Sequence, residues 1–379
     1  MTRPPPAKPV PLTRPSFLSL VVSSGVGPSA RDLVQLLDDL PPDATAAAAA
    51  HRLVVRGVLT RFQSDRLLAG RADGLTLGPY LILEPLGQEA GGRTFRARHT
   101  VMDRLVCVWV SAADNPRRQV HLEAARKAAK LAHPHVLMVL DVNPVGRATV
   151  VTEYVDGAGL DAVVRLAGRL PVGRACDWLR QIALGLAHAH ENGVCHGQLT
   201  AAAVLVGRPG GGGPEGRMAV KLTGFAGSPA DADTVAADLS ALGQVGRHLL
   251  AGKPGTPPPV LPLELTKLLG ELAGRRPPTA AEAADRLTPL ADTDFGIVEF
   301  DMPAVVPPSE SLAVGYLSGI HATPPGESCP FADLLADQPT DAGSITRAER
   351  IGGNRLMLTL AGVAACVSLV VVLLVAAML

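Results

Sequence analysis

The sequence predicts an α+β chain folded as two lobes, on three observations. Strand-length apolar runs crowd between Tyr80 and Val155. A single helix-like stretch, Gln119 to Leu131, interrupts them. Beyond Gly157 the apolar spacing lengthens to the helical three-to-four-residue step. Strands followed by helices, rather than strict alternation, is the α+β signature.

Taken in order, residues 1–15 are a Pro-rich lead (RPPPAKPVPLTRP), and 16–75 read as a small helical module. Its run LVQLLDDL stops at Pro41-Pro42, Asp43 is placed to cap the Ala-rich run, and HRLVVRGVLTRFQSDRLLAG follows. YLILEPL, RTFRARH, RLVCVWVS and RATVVTEYV then have the β-branched and aromatic content of strands. In the second lobe Ala175, Trp178, Ile182, Leu186 and Ala189 form one apolar stripe of a long helix, and Gly193 is its C-terminal breaker.

Residues 291–355 are rich in Pro, Gly, Asp and Ser without a sustained period, which predicts a linker. From Leu356 to Leu379 there is no charged residue. Twenty-four helical residues cover about 36 Å, enough for a hydrocarbon core of about 30 Å, so 356–379 is expected to be a transmembrane helix. Arg347, Arg350 and Arg355 precede it, which predicts a single-pass membrane protein with its N-terminal portion cytoplasmic.

Charge excludes one class of partner. The 35 basic and 35 acidic side chains cancel, and a neutral chain lacks the field that nucleic acid binding needs. Five cysteines stand without CxxC or metal-site spacing, so neither a disulfide framework nor a zinc site is expected.

The ordered segments of residues 78–290 resemble the protein kinase family, of the bacterial eukaryotic-like Ser/Thr type. LGPYLILEPLGQEAGGRTFRARH is similar to the Gly-rich loop and its strands, and RLVCVWV to the strand bearing the kinase lysine. LEAARKAAKLAHPHVLMVLDV resembles the first lobe's helix and the following strand, VVTEYVDGAGL the hinge, and ALGLAHAHENGVCHGQLTAAAVLV the catalytic loop. KLTGFAG stands at the metal-binding tripeptide, ADLSALG at the start of a buried helix, and RRPPTAAEAADRL at the closing helices. The resemblance implies a bilobal protein-kinase-like fold.

Phosphoryl transfer is mostly positioning and charge neutralisation, so each family position has a defined task. Gly87 and Gly92 match two loop glycines, while Glu89 replaces the one between. Trp109 stands at the lysine, Ala124 at its glutamate partner with Glu123 one helical step of about 100° away. Gln198 stands at the proton-accepting aspartate, Ala203 at the magnesium-binding asparagine and Gly224 at the main magnesium aspartate. No Asp or Glu lies between Asn192 and Pro214, or between Gly216 and Ala230. Arg93, Arg96 or Lys221 could stand in for the lysine, but no neighbour offers a base. Only 14 positions separate Gly224 from Asp238, so most of the activation segment is missing, and Arg276 has lost its partner there.

His196, Phe225 and Asp238 match family positions that tie the lobes together. Gly87, Gly92, Cys107, Thr152, Glu153, Val155 and Leu205 outline a vestigial nucleotide pocket. The expectation is a pseudokinase with no metal and no cofactor, in which ATP without magnesium is the one nucleotide form conceivable. It would act as a signalling scaffold or allosteric partner of proteins, an active kinase or another signalling protein among them. The alternative is a weakly active, atypical Ser/Thr kinase that binds ATP.

Overall fold

The computed structural model describes residues 12–89, 91–209, 219–251 and 259–291. The transmembrane helix expected at 356–379 and the linker beyond Ala291 lie outside the described residues. Among those described, no helix is long and apolar enough to cross a membrane.

Four short helices open the chain: α1 (Arg14–Ser23), α2 (Ala30–Leu36), α3 (Ala46–Val55) and α4 (Arg61–Leu68). Each starts at a hydroxyl. The side chains of Thr13, Ser29, Thr45 and Thr60 accept from backbone N–H groups of the first turns. Thr45, not the expected Asp43, caps the Ala-rich helix, because it alone sits three residues before the Ala48 N–H. Phe17, Val21, Leu33, Leu53 and Leu67 bury a small core here. The module is fastened to the next strand: Gln63 Nε2 donates to the Ile82 carbonyl at 2.7 Å, and Ile82 N–H to the Leu75 carbonyl.

The first lobe is an antiparallel sheet of β1 (Thr76–Leu77), β2 (Tyr80–Glu89), β3 (Gly92–His99), β4 (Arg104–Ser111), β5 (Val139–Asn143) and β6 (Thr149–Glu153), ordered β1-β2-β3-β4-β6-β5. Helix α5 (Arg118–Ala128) is inserted between β4 and β5, and its Leu122 and Ala125 pack on Trp109 and Val150 of the sheet.

The second lobe starts with β7 (Val155–Gly159) and α6 (Leu160–Ala167), then α7 (Val172–Glu191). All five residues of the predicted stripe are buried, and α7 stops at Asn192 before Gly193, whose φ of 73° suits only glycine well. Strands β8 (Val194–Cys195), β9 (Val204–Pro209), β10 (Ala219–Leu222) and β11 (Ser228–Pro229) follow. They make two small antiparallel sheets, β10-β9-β7 and β11-β8. Helices α8 (Ala232–Ala251), α9 (Leu263–Glu271) and α10 (Ala280–Leu287) complete the lobe, and one large core joins them to α7. The result is a kinase-like α+β fold.

Candidate functional site

The loop after β8 is held by one carboxylate. Asp238 on α8 is 1% exposed and accepts from His196 N–H at 2.7 Å and Gly197 N–H at 2.8 Å. His190 Nε2 lies 3.0 Å from the same group. Burial alone would raise the Asp238 pKa, but the bonds from His190, Gly197 and His196 outweigh it and hold it below the usual range. His196, fully buried and held neutral by that burial, donates from Nε2 to the Thr223 carbonyl at 2.7 Å. Its ring meets Phe225 at 4.7 Å between centroids. His196, Phe225 and Asp238 thus lie in one connected assembly.

That assembly includes a His190–Cys195–Asp238 cluster with metal-ligand atom types, all within 4.8 Å. Both Asp238 oxygens already accept backbone donors, and burial pushes the Cys195 thiol up, away from the thiolate a metal requires. The cluster is a closed hydrogen-bonded knot rather than an open ligand set.

Trp109 occupies the lysine position as a buried core aromatic, 2% exposed, with its ring edge-on to His121 at 5.4 Å. The indole reaches under the Gly-rich turn. A Cβ on Gly92 would lie 2.4 Å from Trp109 Cε2, so only glycine lets β3 cross there. Ala124 faces the short segment after Gly224: a Cβ on Gly227 would sit 3.2 Å from Ala124 Cα. Lys127 Nζ donates to the Gly227 carbonyl at 2.6 Å, strapping that segment to α5. Glu123 is exposed and accepts from Gln119 at 2.8 Å, pointing elsewhere as its helical step requires.

Gln198 is exposed, and Ala203 is fully buried in a 3-10 turn, where its carbonyl accepts from Thr223 N–H at 2.9 Å. Gly224 adopts φ 71°. The next carboxylate along the chain, Asp231, accepts from Thr234 N–H at 2.9 Å as the cap of α8. It is therefore committed to backbone, as Asp238 is.

The outlined nucleotide slot is split. Cys107, Val155 and Leu205 pack with Leu86, Leu137 and Tyr154 into one apolar cluster, in which Leu86, Val155 and Leu205 are fully buried. Thr152 faces an adjoining cavity of about 50 Å³, lined also by Leu137 of that cluster and by Ala124, Gly224 and Phe225. Glu153 turns inward: its Oε1 accepts from Lys221 Nζ at 2.6 Å and from Met138 N–H at 2.9 Å. Gly87, next along the chain from Leu86, lies at a β2 bulge opposite Thr94. Leu86 and Leu137 were missed by sequence reading, whereas Tyr154 lay within the hinge segment read from it. The apolar residue just before Gly87 was the signal available for Leu86.

The three possible substitutes for the lysine are placed as follows. Lys221 is bound to Glu153, Arg96 pairs with Glu84 at 2.9 Å and lies over the Tyr154 ring, and Arg93 is buried in β3. Arg276 is exposed at the turn before α10.

These residues do not fit magnesium-ATP. The phosphate-anchoring position is a buried indole wedged against Gly92. The metal positions are an alanine and a glycine, and the carboxylates that follow them hold backbone. A hard divalent cation needs oxygen ligands that these positions do not supply.

Residues 82–233 match the family model described as protein tyrosine and serine/threonine kinase. That stretch is thus a kinase-like domain, similar to those of bacterial eukaryotic-like Ser/Thr kinases. Serine/threonine-protein kinase PknH of Mycobacterium bovis is 33% identical over 140 residues, 36% of this chain and 24% of that protein. PknI of Mycobacterium tuberculosis is 30% identical over 202 residues, 48% of this chain and 34% of its own length. PknD of Mycobacterium tuberculosis is 31% identical over 138 residues, 35% and 21%. The matched stretch thus spans about a fifth to a third of these relatives.

Proposed function

We propose that this chain is a membrane-tethered kinase-fold protein that transfers no phosphate and works as a signalling scaffold or allosteric partner. The relatives are named as Ser/Thr protein kinases. This chain shares their domain but departs from its family at the positions that carry chemistry. One observation carries the reading: Trp109 stands buried against Gly92 where a cation should hold phosphates. A neutral ring there gives a triphosphate no partner, and Gln198 cannot accept a hydroxyl proton at a useful pKa. The ties through Asp238, His196 and Phe225 keep a stable surface on which other proteins, an active kinase among them, can dock. Anchoring falls to the apolar run 356–379.

The test is thermal melting of the purified full chain with ATP, with and without magnesium, alongside phosphate transfer to generic protein substrates. Neither a magnesium-dependent rise in Tm nor transfer is expected. A MgATP shift that disappears in Gln198→Ala would overturn this reading, and transfer lost in the same variant would establish the weakly active kinase instead. Carbonate-resistant membrane association, lost on deleting 356–379, tests the anchor.

A further inference from the structure

Helix α4 opens on a capping box whose two side chains are each used twice. Thr60 Oγ1 accepts from Gln63 N–H at 3.2 Å, and Gln63 Oε1 accepts from Thr60 N–H at 2.9 Å. Each side chain has a donor left over, and both donors reach β2. Gln63 Nε2 donates to the Ile82 carbonyl at 2.7 Å, and the Thr60 hydroxyl donates to the Leu83 carbonyl. A glutamate at 63 would complete the cap equally well but would have no hydrogen to give.

Both carbonyls fall where the sheet's own pairing lapses. β1 pairs with β2 at Thr76–Leu81 and Leu77–Tyr80, and the Leu75 carbonyl extends that ladder by accepting from Ile82 N–H at 2.9 Å. Leu75 N–H turns away to the Ala72 carbonyl, so Ile82 receives no donor from it in return. Gln63 supplies that donor. Leu83 is the extra residue of the β2 bulge, skipped by the ladder to β3 between Ile82 and Glu84, and Thr60 takes its carbonyl. The helical module thus completes this edge as a neighbouring strand would.

The contact also has the character of a separable cover. The module buries its own apolar cluster, and among the described residues of the sheet only Leu81 is packed against it. Tyr80, Leu81, Ile82 and Leu83 carry no charge. Exposed sheet edges are guarded by charge, by proline or by a covering element, and over these four residues the guard present is the cover. Every copy of the chain has the same uncharged stretch. Two such edges can pair antiparallel about a twofold axis, each giving Ile82 one donor and one acceptor.

We propose that residues 12–75 are a latched cover, held by Thr60 and Gln63, which keeps the β2 edge from pairing with that of a second copy. Whether the domain transfers phosphate has no bearing on this role.

The test is Thr60→Asp/Gln63→Glu in the purified full chain, held in a non-ionic detergent. Aspartate and glutamate still cap α4 through their oxygens and suit a helix N-terminus, but neither donates to β2. Far-UV circular dichroism should therefore match the parent. In dilute solution Ile82 N–H should exchange about tenfold faster, because Leu75, buried in the module's cluster, leaves with it. On concentrating, sedimentation should show a two-copy species absent from the parent. Adding Leu81→Lys, a charge on the freed edge, should abolish that species. Unchanged Ile82 exchange would overturn the latch. Faster exchange without the two-copy species would overturn the second copy as what the cover excludes, and so would equal association of the parent. A species that survives Leu81→Lys would place the contact elsewhere and overturn the proposal as well. If the double variant loses helix, Gln63→Glu alone, which removes one donor, is read by the same criteria.

Discussion

Lys221 Nζ and Glu153 Oε1 meet at 2.6 Å with both side chains no more than 8% exposed, joining the strand before Gly224 to the segment between the lobes. Losing one partner of a buried pair strands the other charge, which costs about 3–5 kcal/mol. Lys221→Met is therefore expected to lower unfolding stability by that amount. Lys221→Met/Glu153→Leu should recover much of it, though not all, since Met138 N–H also loses its acceptor. Urea titration of the four proteins gives the coupling, which should exceed about 1 kcal/mol.

Gly92 and Trp109 make a second pair whose coupling is steric. With the indole present, any Cβ at 92 falls 2.4 Å from the ring, so Gly92→Ala should be strongly destabilising. Trp109→Ala opens a cavity and should cost about 3–5 kcal/mol. In the Trp109→Ala background the alanine at 92 no longer meets the ring, and its added cost should be less than half that in the parent. The Val110 carbonyl, 2.6 Å from the same point, keeps it above zero. Equilibrium denaturation of the three variants checks the inequality.

These pairs mark where sequence reading stopped. The order of strands and helices was legible because β-branched runs and the α7 stripe impose periods of two and 3.6. The Asp238 knot fell on residues whose family positions could be counted along the chain. The Lys221–Glu153 pair was not legible: its partners are 68 residues apart, and Lys221 read equally well as a stand-in phosphate anchor. That Leu86 and Leu137 pack with Cys107, Val155 and Leu205 was hidden for a similar reason. Apolar residues beside a cleft have the same pattern whether they line a space or fill it. Asp43 and Thr45 are both good caps by type, and only the backbone entry into α3 chose between them.

Acid should weaken the domain well above the carboxylate range. His133 stacks on His188 at 5.1 Å and meets His135 at 5.4 Å, and burial, these two rings and Lys221 lower its pKa to about 4. Arg180 and Asp177 act on His135 from α7, while the Val220 carbonyl holds its Nδ1. His135, His121 and His196 are displaced in the same direction, mainly by burial. A histidine with a depressed folded pKa binds fewer protons folded than unfolded, so stability falls as pH drops below about 6.5. For His133 the loss continues to about pH 4. Asp238, also depressed, adds its loss only lower still. His133→Asn keeps an acceptor for His135 N–H and should flatten the slope of Tm against pH between 6.5 and 4. An unchanged slope would assign the acid sensitivity to the other three rings.

Restoring the charged groups should not restore catalysis. In Trp109→Lys/Gln198→Asp/Gly224→Asp the lysine would replace an indole that packs on Leu122, Ala125 and Val150, leaving a void beside a new buried charge. The aspartate at 224 would have to adopt a φ near 71°, which costs it more than glycine though less than most residues. More decisive is the segment behind it. Ser228 pairs with Cys195, Ala226 N–H donates to the His196 carbonyl, and Gly227 is bonded by Lys127. The chain from Gly224 to Asp231 is thereby bound along its length to β8 and α5, with no loop left over to seat a peptide hydroxyl in line with a phosphate. The triple variant is expected to show no phosphate transfer above background in a radiolabelled assay. Adding Lys127→Met and Gly227→Asp to release the strap should raise hydrogen exchange at Ala226 and Ala230 without producing turnover. Turnover in the triple variant would show that the shortened segment does not bar transfer, and turnover only after the strap is released would assign the block to the strap.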